Sequence, residues 1–400
     1  MGFVQPLPFE QARRVVLETV GSLAHKPDTE TISLQDCAGR VLAKDVFADR
    51  AYPPLPRSIR DGFAVRAAEL PGKLKVTGEI RAGQAPDAVV GSGEAFEIMT
   101  GAGVPSGANA IVMVEHTSRD GDIVSFERPA RPGDFIVPAG DECCAGGMVL
   151  GSGTRIDFAH VAALASVGAT HVHVYRKPSV AIIATGDEII EISQRPLPHQ
   201  IRNSNSHSLA AQVQRAGGSP IVLPVAKDEY QHTRSLVEQG LSSDLLLLSG
   251  GVSAGKYDLV EQVLADLGAE FFFDRVLIQP GQPVVFGRVQ DRFFFGLPGN
   301  PASTMVTFEI FARAALELMS GCRDACLRLL FARLRSDFRH RPGLTRFLPA
   351  RLEPCGREVN PVAWQGSGDV FALAASNGFL VAREEQESWK AGDMIEVMPR

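Results

Sequence analysis

From Phe9 to Ala24 apolar residues recur at helical spacing, whereas from Tyr52 to about Gly151 short alternating runs are broken by Gly, Pro and Asp. The first segment is expected to be a helix and the second mostly strand. Asp157 precedes "FAHVAALASVGA" and can accept from the free amides of a first turn, so a small-residue helix ending at Gly168 is expected there. Its expected packing partner is the first helix, which makes the β-rich region an insertion within a discontinuous helical domain.

From Lys177 the rhythm changes. The strand-like runs "SVAIIAT", "SPIVLPV", "DLLLLSG" and "RFFFGL" are separated by the helix-like runs "SLAAQVQRAGG", "YQHTRSLVEQG" and "LVEQVLADLG". Such alternation predicts βαβ units and a parallel sheet. A long helix follows in "PGNPASTMVTFEIFARAALELMSG", with Asn300 as the expected cap and Pro301 at its first position. Beyond Arg328 the helical pattern stops, and the short strand-like pieces that follow suit a small β-barrel or sandwich. The expected regions are 1–50 with 141–176, 51–140, 177–325 and 326–400.

A length of 400 residues agrees with several domains, and 45% hydrophobic with 22% charged residues is ordinary globular usage. The net charge of -6 argues against a general binder of nucleic acid. Between Cys322 and Arg351, however, eight Arg face two Asp, which is either a solvated strand surface or a strip toward a phosphorylated ligand. The six cysteines show no paired spacing, and Cys322 and Cys326 have no neighbouring His to complete a zinc site, so a reducing cytoplasm is expected. No run approaches the roughly 20 apolar residues that span a bilayer, and the N-terminus lacks signal-peptide character. His171 and His173 alternate in "THVHVY" and are expected on one face of a strand.

In an open parallel sheet, ligands bind beyond the carboxyl ends of the strands. Four polar clusters fall there: Thr185 to Glu188, Ala226 to Glu229, Ser249 to Asp258 and Gly296 to Ser303. The glycine loop matches G-x-x-x-x-G-K from Gly250 to Lys256, but Tyr257 stands where a P-loop needs Ser or Thr for magnesium. Asp258 with Glu261 also fits a capping box, and Asn300 with Pro301 fits a helix start, while Gly299 leaves the backbone bare for an anion. Asp187, Glu188, Asp228 and Asp258 would set carboxylates beside a phosphate, an arrangement that implies bridging magnesium; a surface turn explains any single one equally well.

As a set, these motifs resemble the molybdopterin molybdenumtransferases, the molybdenum insertases that include the C-terminal part of gephyrin. The resemblance is carried over nearly the whole chain by "SIRDGFAV", "AGQAP", "EIMTGAGVPSGANAIVMVE", "RPGDFIVPAGDE", "ATGDEI", "SGGVSAGKYD", "IQPGQPVVFG" and "GLPGNPAS". It implies a discontinuous elongated helical domain, a β-rich insertion, an α/β molybdopterin-binding domain and a C-terminal β-barrel. It also implies a homodimer with each active site between the α/β domain of one subunit and the β-rich insertion of the other. The implied reaction takes adenylylated molybdopterin and molybdate, inserts the metal at the dithiolene sulfurs and releases AMP, assisted by Mg2+.

On the motifs that match, the resemblance implies catalytic roles for Asp61, Thr100, Glu142, Glu188, Asp228 and Asp258, with Glu188, Asp228 and Asp258 as magnesium ligands. It implies pterin and nucleotide contacts from Thr185, Gly186, Asp187, Ser249, Gly250, Gly251, Ser253, Gly255, Pro298, Gly299 and Asn300, and an approach to molybdate at Ser303 and Ser367. The molybdopterin adenylyltransferase and apo-molybdoenzymes are the implied protein partners. The chain departs from the family pattern at Gln279 and Gln282, where the loop often carries Lys. It departs again at Asp141-Glu142, where "GED" is common, and at Gly343-Leu344 and Phe347-Leu348-Pro349, where Arg is frequent. Arg346 or Arg351 could replace the latter charge. Two other readings stand beside the insertase: a P-loop NTPase resting on the glycine loop alone, and a non-catalytic scaffold of the same fold.

Overall fold

The computed structural model describes residues 5–24, 27–251 and 259–400. Its α/β portion is built on a six-stranded sheet in the order Ser219–Val222, Ser179–Ala184, Leu245–Ser249, Arg292–Leu297, Val285–Val289, Glu270–Phe273. The first four strands run parallel, as the alternating pattern predicts. Val285–Val289 runs against them, because a tight turn with Gln290 at φ 52° folds it directly back on Arg292–Leu297, and the edge strand Glu270–Phe273 pairs antiparallel with it and so runs with the first four. Along the central strands successive side chains divide between two cores. Val180, Ile182, Leu245 and Leu247 meet Leu209 and Val213 of helix Ser204–Ala216. Ala181, Ile183, Leu246 and Leu248 meet Leu236, Val237, Val260 and Val263 of helices Tyr230–Gly240 and Leu259–Asp266. Burial on both faces explains why these strands read as unbroken apolar runs.

The two early helices do not share a core as expected. Helix Phe9–Leu23 buries Phe9, Ala12, Val16 and Val20 in the first α/β core, where the Phe9 ring meets Phe311 at 6.0 Å and Phe347 at 5.3 Å. Helix Phe158–Ser166 buries Leu164 in a separate cluster with Cys37, Leu42, Ile156, Val172 and Val174. The difference lies in which large side chains face inward: the first helix buries Phe9, Val16 and Val20, whereas the second buries only Leu164 and leaves Phe158 exposed. Asp157 caps the second helix as expected and completes a capping box with His160. His171 and His173 both lie exposed on strand His171–Tyr175, which pairs with Thr29–Ser33.

The insertion is a six-stranded sheet in the order Ala110–Met113, Gly62–Val65, Glu94–Ile98, Gly72–Ile80, Ile123–Phe126, Thr117–Asp120. Gly62 is required there, since a Cβ would fall 1.9 Å from the Val112 carbonyl oxygen. At the C-terminus, strands Thr345–Leu352, Glu358–Pro361, Leu330–Leu334, Met394–Pro399 and Gly378–Ala382 close into a barrel, the last pairing back on the first. A short strand of the α/β portion, Ile278–Gln279, adds in parallel to the barrel at Thr345 and Arg346.

The long helix after "GLPGN" forms in three pieces: Pro301–Thr307, a π-helical turn Phe308–Ala312 and Arg313–Met319. Asn300 occupies the cap position, but its side chain makes no capping hydrogen bond. Thr304 Oγ1 instead bonds the Pro298 and Asn300 carbonyls at 2.5 and 3.1 Å and ties the turn to the helix from below.

Candidate functional site at the carboxyl rim of the α/β sheet

Backbone hydrogen bonds stitch the four parallel strand ends into one rim. Thr185 N donates to Ser249 O at 3.0 Å, Gly186 N to Ala226 O at 3.1 Å, and Gly250 N to Leu297 O at 3.0 Å. Gly250 at φ 92° and Gly251 at φ 64° turn the chain over Thr185, and a Cβ on Gly250 would lie 2.9 Å from the Thr185 carbonyl oxygen. This compact turn requires glycine, whatever else it binds.

The rim opens into a cleft of about 380 Å³ whose walls include Thr185, Glu188, Gly250, Gly251, Pro298, Gly299 and Asn300. Sequence reasoning brings all of these to the site. Asp187 and Asp228 stand at the same edge, where the Asp228 amide donates to Asp187 Oδ1 at 3.2 Å. Burial, followed by the charges of Asp187 and Glu188, holds the Asp228 carboxyl above its ordinary range. Ser249 is fully buried at its strand end. The expected contributions of Ser253, Gly255 and Asp258 lie outside the described residues.

The remaining candidates are not brought into this cleft. In the insertion, Asp61 Oδ1 accepts both from the Thr100 amide at 2.6 Å and from Thr100 Oγ1 at 2.8 Å. Those two bonds hold the Asp61 carboxyl below its ordinary range. Glu142 forms an ion pair with Arg57. Ser303 is 4% exposed within its helix, and the Ser367 carbonyl accepts from the neighbouring Ala302 amide at 2.9 Å. Where the chain departs from the expected pattern, Gln279 and Gln282 are exposed, while Phe347 and Pro349 are buried in the barrel wall. Arg351 bonds the Ala375 carbonyl at 3.2 Å, and Arg346 Nε is buried without a partner among the described residues.

Two asparagines absent from the sequence reading complete the cleft. In "IRNSNSH", Asn203 caps helix Ser204–Ala216 by accepting from the Ser206 amide, while Asn205 reaches across the cleft floor. Its Nδ2 donates to Ser249 Oγ at 2.9 Å and to the Gly299 carbonyl at 2.7 Å. Asn in a first helical turn is a weak helix former, and that mismatch was the available signal.

Three family descriptions cover the chain: MoeA N-terminal region (domain I and II) over residues 7–168, probable molybdopterin binding domain over 181–318, and MoeA C-terminal region (domain IV) over 332–399. The molybdopterin molybdenumtransferase of Bacillus subtilis (strain 168) is 33% identical over 410 residues, covering 98% of this chain and 94% of its own length. That of Staphylococcus aureus (strain MSSA476) is 30% identical over 403 residues, covering 98% and 95%. The chain belongs to the molybdopterin molybdenumtransferase family. Solved structures of the molybdenumtransferase fold agree: a molybdopterin biosynthesis MoeA protein from Pyrococcus horikoshii OT3 superposes with a TM-score of 0.82 at 29% identity, covering 99% of this chain and all (100%) of its own. A second, from Pyrococcus horikosii, gives 0.75 at 32% identity, with 99% of both chains covered. The α/β sheet and the closed barrel are thus those of this family.

Proposed function

We propose that the protein inserts molybdenum from molybdate into adenylylated molybdopterin with release of AMP, a transferase step of molybdenum cofactor biosynthesis. The observation that carries the reading is the rim, where the exposed Gly251 and Gly299 lie with the Glu188 carboxylate on the cleft wall and Asp187 and Asp228 are joined by a hydrogen bond at the same strand ends, in a chain of this family. Such a site combines close approach for phosphate with acids that can handle a proton.

Glu188 and Asp228, with Asp258, would hold magnesium. Among the described residues no group of three His, Cys, Asp or Glu is placed to cage a metal. A donor set of a few carboxylates nevertheless fits Mg2+, which keeps waters and takes substrate phosphate as its other ligands. When bound, the ion neutralises phosphate charge. The chain's own part is to seat the pyrophosphate against Gly250, Gly251 and Gly299 and, through the acids of this rim, to take the proton of the water that opens the phosphoanhydride.

We further propose a homodimer in which Asp61, Thr100 and Glu142 of one subunit face the other subunit's cleft, with molybdate approached through Ser303 and Ser367. The domain borders given above, a cytoplasmic setting, and encounters with the adenylyltransferase and apo-molybdoenzymes complete the proposal. The test is direct: adenylylated molybdopterin, molybdate and Mg2+ are supplied to the folded protein, and AMP and metallated cofactor are measured. Their absence sinks the reading. Gln279 and Gln282 favour a second reading, a pterin-binding scaffold, which predicts calorimetric binding with no AMP. Metal analysis of product formed with molybdate and tungstate together distinguishes the two oxyanions.

A further inference from the structure

Asn205 is 8% exposed, and its orientation is fixed by chemistry. The Gly299 carbonyl can only accept, so the Asn205 nitrogen must face it, at 2.7 Å. The second Nδ2 hydrogen goes to Ser249 Oγ at 2.9 Å. Both donors are then occupied, while Oδ1, on the other side of the amide, is buried with no partner among the described residues. Thr185 Oγ1, 7% exposed on the wall of the same cleft, is a second polar atom without a partner. A buried acceptor left unpaired is unfavourable, and a donor carried by a ligand in the cleft would satisfy it.

We propose that Asn205 is a specificity-determining residue whose Oδ1 accepts a hydrogen bond from a ring amino group of the ligand, with Thr185 Oγ1 as a neighbouring second contact. A ring bearing a carbonyl at that position would set two acceptors against each other. The cleft therefore selects an amino-substituted heterocyclic edge. Such an edge is available from the exocyclic amine of either a pterin or an adenine. The inference rests on the cleft being the ligand site of the proposed function.

The test uses the full-length protein with two matched ligand pairs, pterin against lumazine and AMP against IMP, each pair exchanging an amine for a carbonyl. Affinity is measured by titration calorimetry for wild type, Asn205→Ala and Asn205→Ser, with circular dichroism confirming that each variant is folded. The amino member of one pair is expected to bind wild type about tenfold more tightly, and that ratio is expected to fall to about unity in the variants. The pair that shows the preference identifies the ring that meets Asn205. Equal affinities within both pairs for wild type overturn the inference while leaving the cleft as the ligand site. A preference that persists in a folded Asn205 variant overturns it as well. Failure of all four ligands to bind wild type overturns both the inference and the assignment of the cleft.

Discussion

Asp228 carries its raised carboxyl in a setting of burial and like charge, from Asp187 and Glu188. Because the folded state holds that proton more tightly than the unfolded chain, Asp228 favours folding at low pH, and this contribution falls as pH rises from 3.8 through the raised value. Asp228→Asn should therefore gain thermal stability relative to wild type as pH rises from about 4 to about 7, while losing AMP release. Melting curves across that range check the sign. Thr100 acts in the opposite direction on Asp61, because both of its donors go to one carboxylate oxygen and hold the group ionised. Thr100→Val removes the hydroxyl donor, so the acid limb of the activity profile is expected to move to higher pH, with Thr100→Ser restoring it. At this scale residue types were legible: the acids and glycines are arranged by the chain order of four strands. Asn205 was not, because its role depends on which carbonyl and hydroxyl the fold sets beside it.

Among elements, the opposite end of the sheet has its own device. Asp244, immediately before strand Leu245–Ser249, accepts from the Ser179 amide and hydroxyl at 2.7 and 2.8 Å and from Arg176 at 2.8 Å, and pairs with Arg292 at 3.3 Å. Three neighbouring strand starts are thereby pinned to one carboxylate. Burial alone would raise this carboxyl, yet the hydrogen bonds from Arg176 and Ser179 bring it down to about 2. Stability from this group is thus present above the ordinary value of 3.8 and lost as pH falls toward about 2. Asp244→Ala is expected to lower unfolding stability by about 2 kcal/mol at neutral pH, with the gap closing in acid; urea unfolding at each pH measures it. Element type was readable from periodicity where strands are buried on both faces. Partner choice was less so, since the pattern of Phe9–Leu23 announces an apolar face but not that Phe311 and Phe347 will meet it.

For the whole molecule, the separation of Asp61, Thr100 and Glu142 from the cleft walls makes subunit sharing testable. Asp61→Asn and Asp228→Asn chains, each inactive alone, are mixed under exchange. Shared sites restore one intact centre per mixed dimer and about a quarter of wild-type activity, whereas sites confined within single chains restore none. The barrel bears on stability at the same scale. Its Phe347, Phe379, Val381 and Met398 enter the core that holds Phe9 and Phe311, while Leu380, Ala382 and Val397 fill its own interior. We therefore expect the barrel and α/β portion to melt in one transition, with calorimetric and van't Hoff enthalpies agreeing for that unit.

Synthesis runs from the first helix to the last strand, and the Phe9 ring packs against Phe347. A nascent chain whose α/β strands have all left the ribosome still lacks the wall that Phe347, Phe379, Val381 and Met398 supply. Until those residues emerge, the apolar face of the first helix is left without part of its cover. Emergence of the segment from Phe347 to Met398 is thus when the first helix passes from exposed and aggregation-prone to sealed, and a ribosome stalled before Gly378–Ala382 would hold the chain open to chaperones.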